Sequence, residues 1–207
     1  MKRWITMGAR FLLAGALGML AGAALAQEAP DALVKRVSED VLQTIRSDPL
    51  VQAGNEARIR QVIESKLLPH FDFERMTALA MGRNWRSASP EQKKRLIDEF
   101  LTLLVRTYSG ALNQYRDEKI DYKPLRTNPG DSEVTVRTVV LKPGGSPVQI
   151  DYSMEKTPSG WKAYDVIVGG VSLVTNYRDE FAQQVQQGGI DGLIKTLAAK
   201  NSAPPAK

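Results

Sequence analysis

The sequence predicts an α+β fold: an antiparallel sheet of about four strands, packed with N-terminal, long central and C-terminal helices. Two observations carry this. Apolar residues recur at helical spacing through the first half of the chain, switch to a period of two between residues 119 and 168, and return to helical spacing from 174. The period-two runs are joined by segments of hairpin length, which suit antiparallel neighbours and are too short for a parallel crossover. A chain of 207 residues is long enough for one ordinary domain with its own core, and no repeat or linker divides it.

The first 26 residues stand apart from that domain. Met1-Lys2-Arg3 and Arg10 are basic, Phe11 to Leu20 is apolar, and Ala24-Leu25-Ala26 precedes Gln27 as a small-x-small cleavage site. This is the three-part form of a secretory signal peptide. A membrane anchor is the alternative, but the apolar run falls short of the ~20 residues that a spanning helix needs. No cysteine follows, so a lipid-modified anchor is excluded. Cleavage after Ala26 leaves residues 27–207 and removes three positive charges, taking the net charge from +5 to +2. The compact signal with its Ala-x-Ala site reads as bacterial, and places the mature chain in the periplasm.

Helices come first. Leu33, Val34, Val37, Val41, Leu42 and Ile45 set a helix over 31–46 that Asp48-Pro49 stops. Asn55 caps a second, carrying Ile59, Val62, Ile63 and Leu67 and ending before Pro69. Asp72 caps a short third through Met76 and Leu79, closed by Gly82. Ser89-Pro90-Glu91-Gln92 is the clearest start signal, with serine at the N-cap, proline at the first helical position and glutamine at the third. The long helix it opens runs to about Arg116, lined by Leu96, Ile97, Phe100, Leu101, Leu103, Leu104, Tyr108, Leu112 and Tyr115.

Strands follow at 119–125, 132–142, 147–156 and 161–168, turned by Asn128-Pro129-Gly130-Asp131, Pro143-Gly144-Gly145 and Thr157-Pro158-Ser159-Gly160. The third alternates strictly, with Val148, Ile150, Tyr152 and Met154 facing one way and Gln149, Asp151, Ser153 and Glu155 the other. Two amphipathic helices, 174–187 and 190–200, are split by Gly188-Gly189, and residues 201–207 read as a disordered tail. Residues 27–200 thus form a single domain.

Little reaction chemistry is written in the chain. With no cysteine and one histidine, His70, it cannot build thiolate, iron–sulfur or multi-histidine metal sites within one copy. No phosphate-binding glycine loop or nucleophile elbow occurs. His70, between Pro69 and Phe71, reads as structural. Asp165 shares its face of the fourth strand with Trp161, Ala163 and Ile167 under strict alternation. A desolvated carboxylate there is a general base; the preferred reading is a carboxylate held by hydrogen bonds at a strand end. A mature charge of +2 gives no field for nucleic acid, and none is expected as a partner. What stands out is apolar surface. The central helix is apolar around more than half its circumference near Leu101–Val105, and Val139, Val140 and Leu141 are apolar on both faces of their strand. Periodicity leaves open whether these fill a core or enclose a space for a ligand.

Several stretches together resemble the MlaC, or toluene-tolerance, family. They are Phe71-Asp72-Phe73-Glu74-Arg75-Met76, Met81-Gly82-Arg83-Asn84-Trp85-Arg86, Ser89-Pro90-Glu91-Gln92, Phe100 with Leu104-Val105-Arg106-Thr107-Tyr108, Asp151-Tyr152, Gly160 to Val166, Gly170 to Phe181, and Gly189 to Ile194. Asn84 departs from the aromatic common in relatives. The resemblance implies an NTF2-like curved sheet enclosing an apolar cavity. It implies a soluble periplasmic carrier that shuttles phospholipid between the outer membrane and an inner-membrane ABC transporter, maintaining outer-membrane lipid asymmetry. The expected partners are phospholipid, an MCE-domain ABC transporter complex in the inner membrane and a lipoprotein–porin complex in the outer membrane. Bound phospholipid is cargo, no cofactor or metal is expected, no enzyme activity is implied, and the carrier is expected to be a monomer.

Strand parity and helix face then select the residues expected to meet acyl chains: Leu101, Leu104, Val105 and Tyr108 from the central helix, and Ile150, Tyr152, Val166, Val168, Val171 and Leu173 from the sheet side. Arg83, Arg86 and Arg178 stand as arginines that meet either headgroups, a partner or structural ion pairs. The rival reading is an NTF2-like enzyme acting on a small apolar ligand with Asp165 as base; a further one is an adaptor with a filled core.

Overall fold

A computed structural model describes residues 27–112, 118–128 and 130–203. The proposed signal segment 1–26, the end of the central helix at Tyr115 and Arg116, Pro129 and residues 204–207 lie outside it. Helix α1, Pro30–Ser47, carries proline at its start and buries Leu33, Val34, Val37, Val41 and Ile45 along one stripe. The Asp48 carboxylate accepts from the backbone N–H groups of Leu50 and Val51, ending α1 and opening the single turn α2, Pro49–Gln52.

Asn55 Oδ1 accepts from Arg58 N at 2.9 Å and starts α3, Glu56–Val62. The helix expected to reach Pro69 as one piece does not keep α geometry. It widens to a π turn over Ile63–Leu67 and tightens to a 3₁₀ turn over Leu68–His70. Pro69 has no N–H to continue the ladder. Asp72 Oδ1 caps α4, Phe73–Met81, which Gly82 closes at φ +54°. The expected capping box is present: Gln92 N donates to Ser89 Oγ at 3.2 Å and Ser89 N to Gln92 Oε1 at 3.0 Å, opening α5, Pro90–Leu112.

The sheet runs in sequence order and is antiparallel throughout: β1 Lys119–Tyr122, β2 Glu133–Leu141, β3 Val148–Thr157, β4 Gly160–Val168 and β5 Val171–Ser172. The fifth strand was not expected. Gly169 and Gly170, at φ +57° and +85°, make the two-residue turn that folds it back onto β4. Between Ser153/Met154 and β4 the register shifts: Met154 faces Ala163 and Ser153 faces Asp165, leaving Tyr164 as an extra residue. That bulge reverses parity, so Asp165 does not share the face of Ala163 as strict alternation predicts. Phe71 bridges Ala163 in parallel, and Asp72 N donates to Ala163 O at 2.9 Å, so the chain before α4 lies along the free edge of β4.

Helix α6, Leu173–Ser202, breaks at Gly189 (φ +68°, ψ −175°), dividing it into the two helices the sequence predicts. It runs past the expected start of the tail. Asn201 Nδ2 donates to Glu99 O and to Glu99 Oε2, at 2.9 and 2.7 Å, so Asn201 and Ser202 are helical rather than disordered.

Three buried clusters hold these elements together. Helices α4, α5 and α6 meet around Phe100, whose ring packs edge-on against Tyr177 and Phe181 with centroids 5.0 and 5.1 Å away. The start of α1 packs on the sheet through Leu33, Val34, Val37, Val134, Val136, Met154 and Ala163. The end of α1, α2, α3 and one face of α5 meet around Ile45, Val51, Ile59 and Val105. The space between the clusters is where apolar side chains face one another without filling the gap.

Candidate functional site

That space is a cavity of about 430 Å³, within the ~300–1,000 Å³ of ligand pockets. Its floor is the helix-facing side of the sheet, where Ile120, Val140, Ile150, Tyr152, Val166 and Val168 point inward. Thr138↔Ile150, Ile150↔Val168 and Tyr152↔Val166 are cross-strand partners, so the alternating pleat delivers them to one face in register. The opposite wall is α5, through Leu101, Leu104, Val105, Tyr108 and Ser109 at spacings of three and four. The ends are closed by Ser38, Val41, Leu42 and Ile45 of α1, by Ile63, Leu67 and Leu68 from the π and 3₁₀ turns, by Phe71, Phe73 and Met76, and by Leu173. Among the described residues no charged side chain lines it, and its polar side chains are Ser38, Tyr108, Ser109 and Tyr152.

Nine of the ten residues selected from the sequence therefore meet at one cavity: Leu101, Leu104, Val105, Tyr108, Ile150, Tyr152, Val166, Val168 and Leu173. Val171 does not. It sits beyond the Gly169-Gly170 turn, is 58% exposed and lies outside the lining; alternation read through a turn assigns it the wrong surroundings. The walls from α1 and residues 63–76 were missed. Their apolar stripes are those of any packed helix, and only Phe71-Asp72-Phe73, on the resemblance, marked that region. The two lining residues that are also exposed, Tyr108 at 38% and Val168 at 37%, mark the mouth.

Asp165 is not in this cavity. Its Oδ2 accepts from Ser172 Oγ at 2.6 Å and its Oδ1 from Val174 N at 3.1 Å, while Ser172 Oγ accepts from Thr175 N at 3.0 Å. The carboxylate and the serine together cap α6, the hydrogen-bonded strand-end role preferred from the sequence. Both oxygens are occupied and neither faces the apolar space, which leaves the enzyme reading without its base. Burial lowers the pKa of His70, with Arg36 adding to it; His70 closes a 3₁₀ turn and does not line the cavity. Arg178 Nε donates to Leu79 O at 3.2 Å, a structural bond, and the exposed Arg83 and Arg86 lie outside the lining. No group of three His, Asp or Glu side chains among the described residues could hold a metal, and no described helix is long and apolar enough to cross a membrane. The site can exclude water from hydrocarbon and, at its mouth, offer hydroxyls.

Comparison with known proteins points the same way. A family model described as MlaC protein matches residues 35–199. The chain is 24% identical, over 207 residues covering 99% of it and 95% of the relative, to the intermembrane phospholipid transport system binding protein MlaC of Haemophilus influenzae. It is 27% identical over 174 residues, 84% of this chain and 80% of the relative, to toluene tolerance protein ttg2D of Pseudomonas putida. Among solved structures it matches a phospholipid-binding protein from Ralstonia solanacearum in complex with a phospholipid, at a TM-score of 0.79 and 42% identity, covering 83% of this chain and 96% of that one.

Proposed function

The chain belongs to the MlaC family, and from that premise we propose that it is a phospholipid carrier of the periplasm, holding acyl chains in the cavity between the sheet and α5. The observation that carries this is the lining: a space of about 430 Å³ walled by aliphatic and aromatic side chains with no charged one among the described residues. The Ralstonia solanacearum relative, described with a bound phospholipid, supports the cargo assignment.

The energetics explain why such a protein is needed. Withdrawing about 30 methylenes of two acyl chains from water is worth ~24 kcal/mol at ~0.8 kcal/mol each. A free phospholipid therefore crosses an aqueous compartment too rarely to matter. The cavity and a bilayer offer the chains similar surroundings, so loading and release are near balance and the carrier needs no energy source of its own. Direction then comes from its partners. On the family's pattern these are an MCE-domain ABC transporter complex in the inner membrane and a lipoprotein–porin complex in the outer membrane, with outer-membrane lipid asymmetry the result. Leu101, Leu104, Val105, Tyr108, Ile150, Tyr152, Val166, Val168 and Leu173 contact the chains, and the Tyr108 hydroxyl at the mouth suits the ester region.

The mature chain, purified without detergent, is expected to show by native against denaturing mass spectrometry one phospholipid per protein. A protein that emerges empty and takes up no added phospholipid overturns the proposal.

A further inference from the structure

Five large apolar side chains remain exposed among the described residues, and four of them gather around one end of the sheet and the cavity mouth: Tyr108 at 38%, Val168 at 37%, Leu141 at 41% and Val171 at 58%. The register explains the gathering. Leu141 is the last residue of β2 and pairs with Lys119, the first of β1; Val168 ends β4, pairs with Ile150 and turns through Gly169-Gly170 to pair with Val171. The β2–β3 turn, Lys142-Pro143-Gly144-Gly145-Ser146-Pro147, projects from the same end. Tyr108 and Val168 also line the cavity, so the exposed apolar rim continues inward as the cavity wall. Lys119 and Lys142 are exposed beside it, and no Asp or Glu occurs in residues 139–149 or 166–173.

We propose that this end of the sheet docks directly on the surface of a phospholipid bilayer containing anionic lipid, with Leu141 and Val171 entering the headgroup layer, Lys119 and Lys142 meeting phosphates, and the cavity mouth facing the membrane. The proposal rests on the carrier reading and extends it to how cargo enters. Aliphatic tips flanked by lysines, with a tyrosine at the rim and no carboxylate in the turns, match the chemistry of an interface that is apolar below and negatively charged above. A lysine near such a surface contributes attraction that salt screens, whereas the aliphatic contribution persists. The continuity of rim and wall gives an acyl chain a path from bilayer to cavity along apolar side chains. A protein partner at the same rim is the competing occupant.

The test uses the lipid-loaded protein with vesicles of phosphatidylethanolamine and phosphatidylglycerol, read by flotation and by exchange of a fluorescent phospholipid between vesicle and protein. The wild-type chain is expected to float with these vesicles at low salt and to exchange lipid. The double variant L141D/V171D, altered at two positions outside the cavity lining, is expected to keep one phospholipid per chain and its melting temperature, yet lose about tenfold in both readouts. Lys119→Ala and Lys142→Ala are each expected to lower binding roughly fivefold, only when phosphatidylglycerol is present. A loaded wild-type protein that neither floats nor exchanges overturns the proposal and assigns the rim to a protein partner. So does an L141D/V171D variant equal to wild type in both assays. A wild-type chain with no lipid by mass spectrometry is a separate result, which removes the carrier reading and the docking face with it.

Discussion

Replacing Ile150 by glutamate puts a titrating group where the proposed cargo lies. Ile150 stands mid-floor, between Thr138 on β2 and Val168 on β4, with its side chain directed into the cavity. In the empty protein a carboxylate there can be hydrated through the mouth. In the loaded protein it is surrounded by hydrocarbon, which disfavours the charged form and raises its pKa. Loading then requires the proton. Protonating a carboxyl of ordinary pKa, about 4.3, costs about 3.7 kcal/mol at pH 7 and about 1 kcal/mol at pH 5. The variant is therefore expected to hold phospholipid about 500-fold more weakly than the uncharged Ile150→Gln protein at pH 7 but only about fivefold more weakly than it at pH 5. Occupancy is read by native mass spectrometry of detergent-free protein, and affinity by displacement of a fluorescent phospholipid at the two pH values. Ile150→Gln, polar but not titrating, supplies the control and is expected to lose affinity equally at both. An Ile150→Glu protein that loads like wild type at pH 7, or whose loading ignores pH, refutes the placement of acyl chains against β3.

Asp165→Ala removes two hydrogen bonds that cap α6; it is expected to cost about 1–2 kcal/mol in denaturant titrations while leaving bound phospholipid at wild-type stoichiometry. Gly189→Ala meets no neighbouring atom within 4 Å, so its cost is that of forcing a side chain to φ +68°, ψ −175°, about 1–3 kcal/mol in the same assay. The Arg75 guanidinium donates to Glu133 Oε1 at 2.6 Å and holds that carboxyl below its ordinary value. A depressed carboxyl contributes stability that is complete above the unfolded pKa and fades as pH falls through the folded one. Because the pair is half-exposed, Glu133→Gln is expected to cost at most ~1 kcal/mol at pH 7, and melting curves of the two proteins are expected to converge as pH falls below the ordinary carboxylate range.

The cavity wall was legible where a single periodicity governs it. Period two along β3 put Ile150 and Tyr152 together, and spacings of three and four on α5 did the same for Leu101, Leu104, Val105 and Tyr108. Errors arose where the period is interrupted. The extra residue at Tyr164 moved Asp165 to the other side of the sheet from Ala163, and the Gly169-Gly170 turn carried Val171 out to solvent. Proline can be seen in advance to end a helix, but not that the chain would reach Pro69 through a π turn whose Ile63 and Leu67 wall the cavity. The cavity itself lies beyond any one-dimensional pattern. Val41 and Ile45 look the same in sequence whether or not the side chains opposite reach them. Here the resemblance supplied what periodicity leaves open.

The bridge between Phe71 and Ala163 has a consequence for how copies of the chain treat one another. An unpaired strand edge is a template on which a second chain can add its own strand. On β4 that edge is occupied from Ala163 onward: by Phe71 and Asp72 at Ala163, by the Asp165 contacts to Ser172 and Val174, and by β5 at Ile167 and Val168. The other edge, β1, is four residues long and carries Lys119 and Asp121. One margin is thus covered over most of its length and the other is short and charged, in a chain whose interior must accept hydrocarbon. Exposed apolar side chains gather mostly at the mouth, and crowded copies can handle greasy cargo without zipping their backbones together.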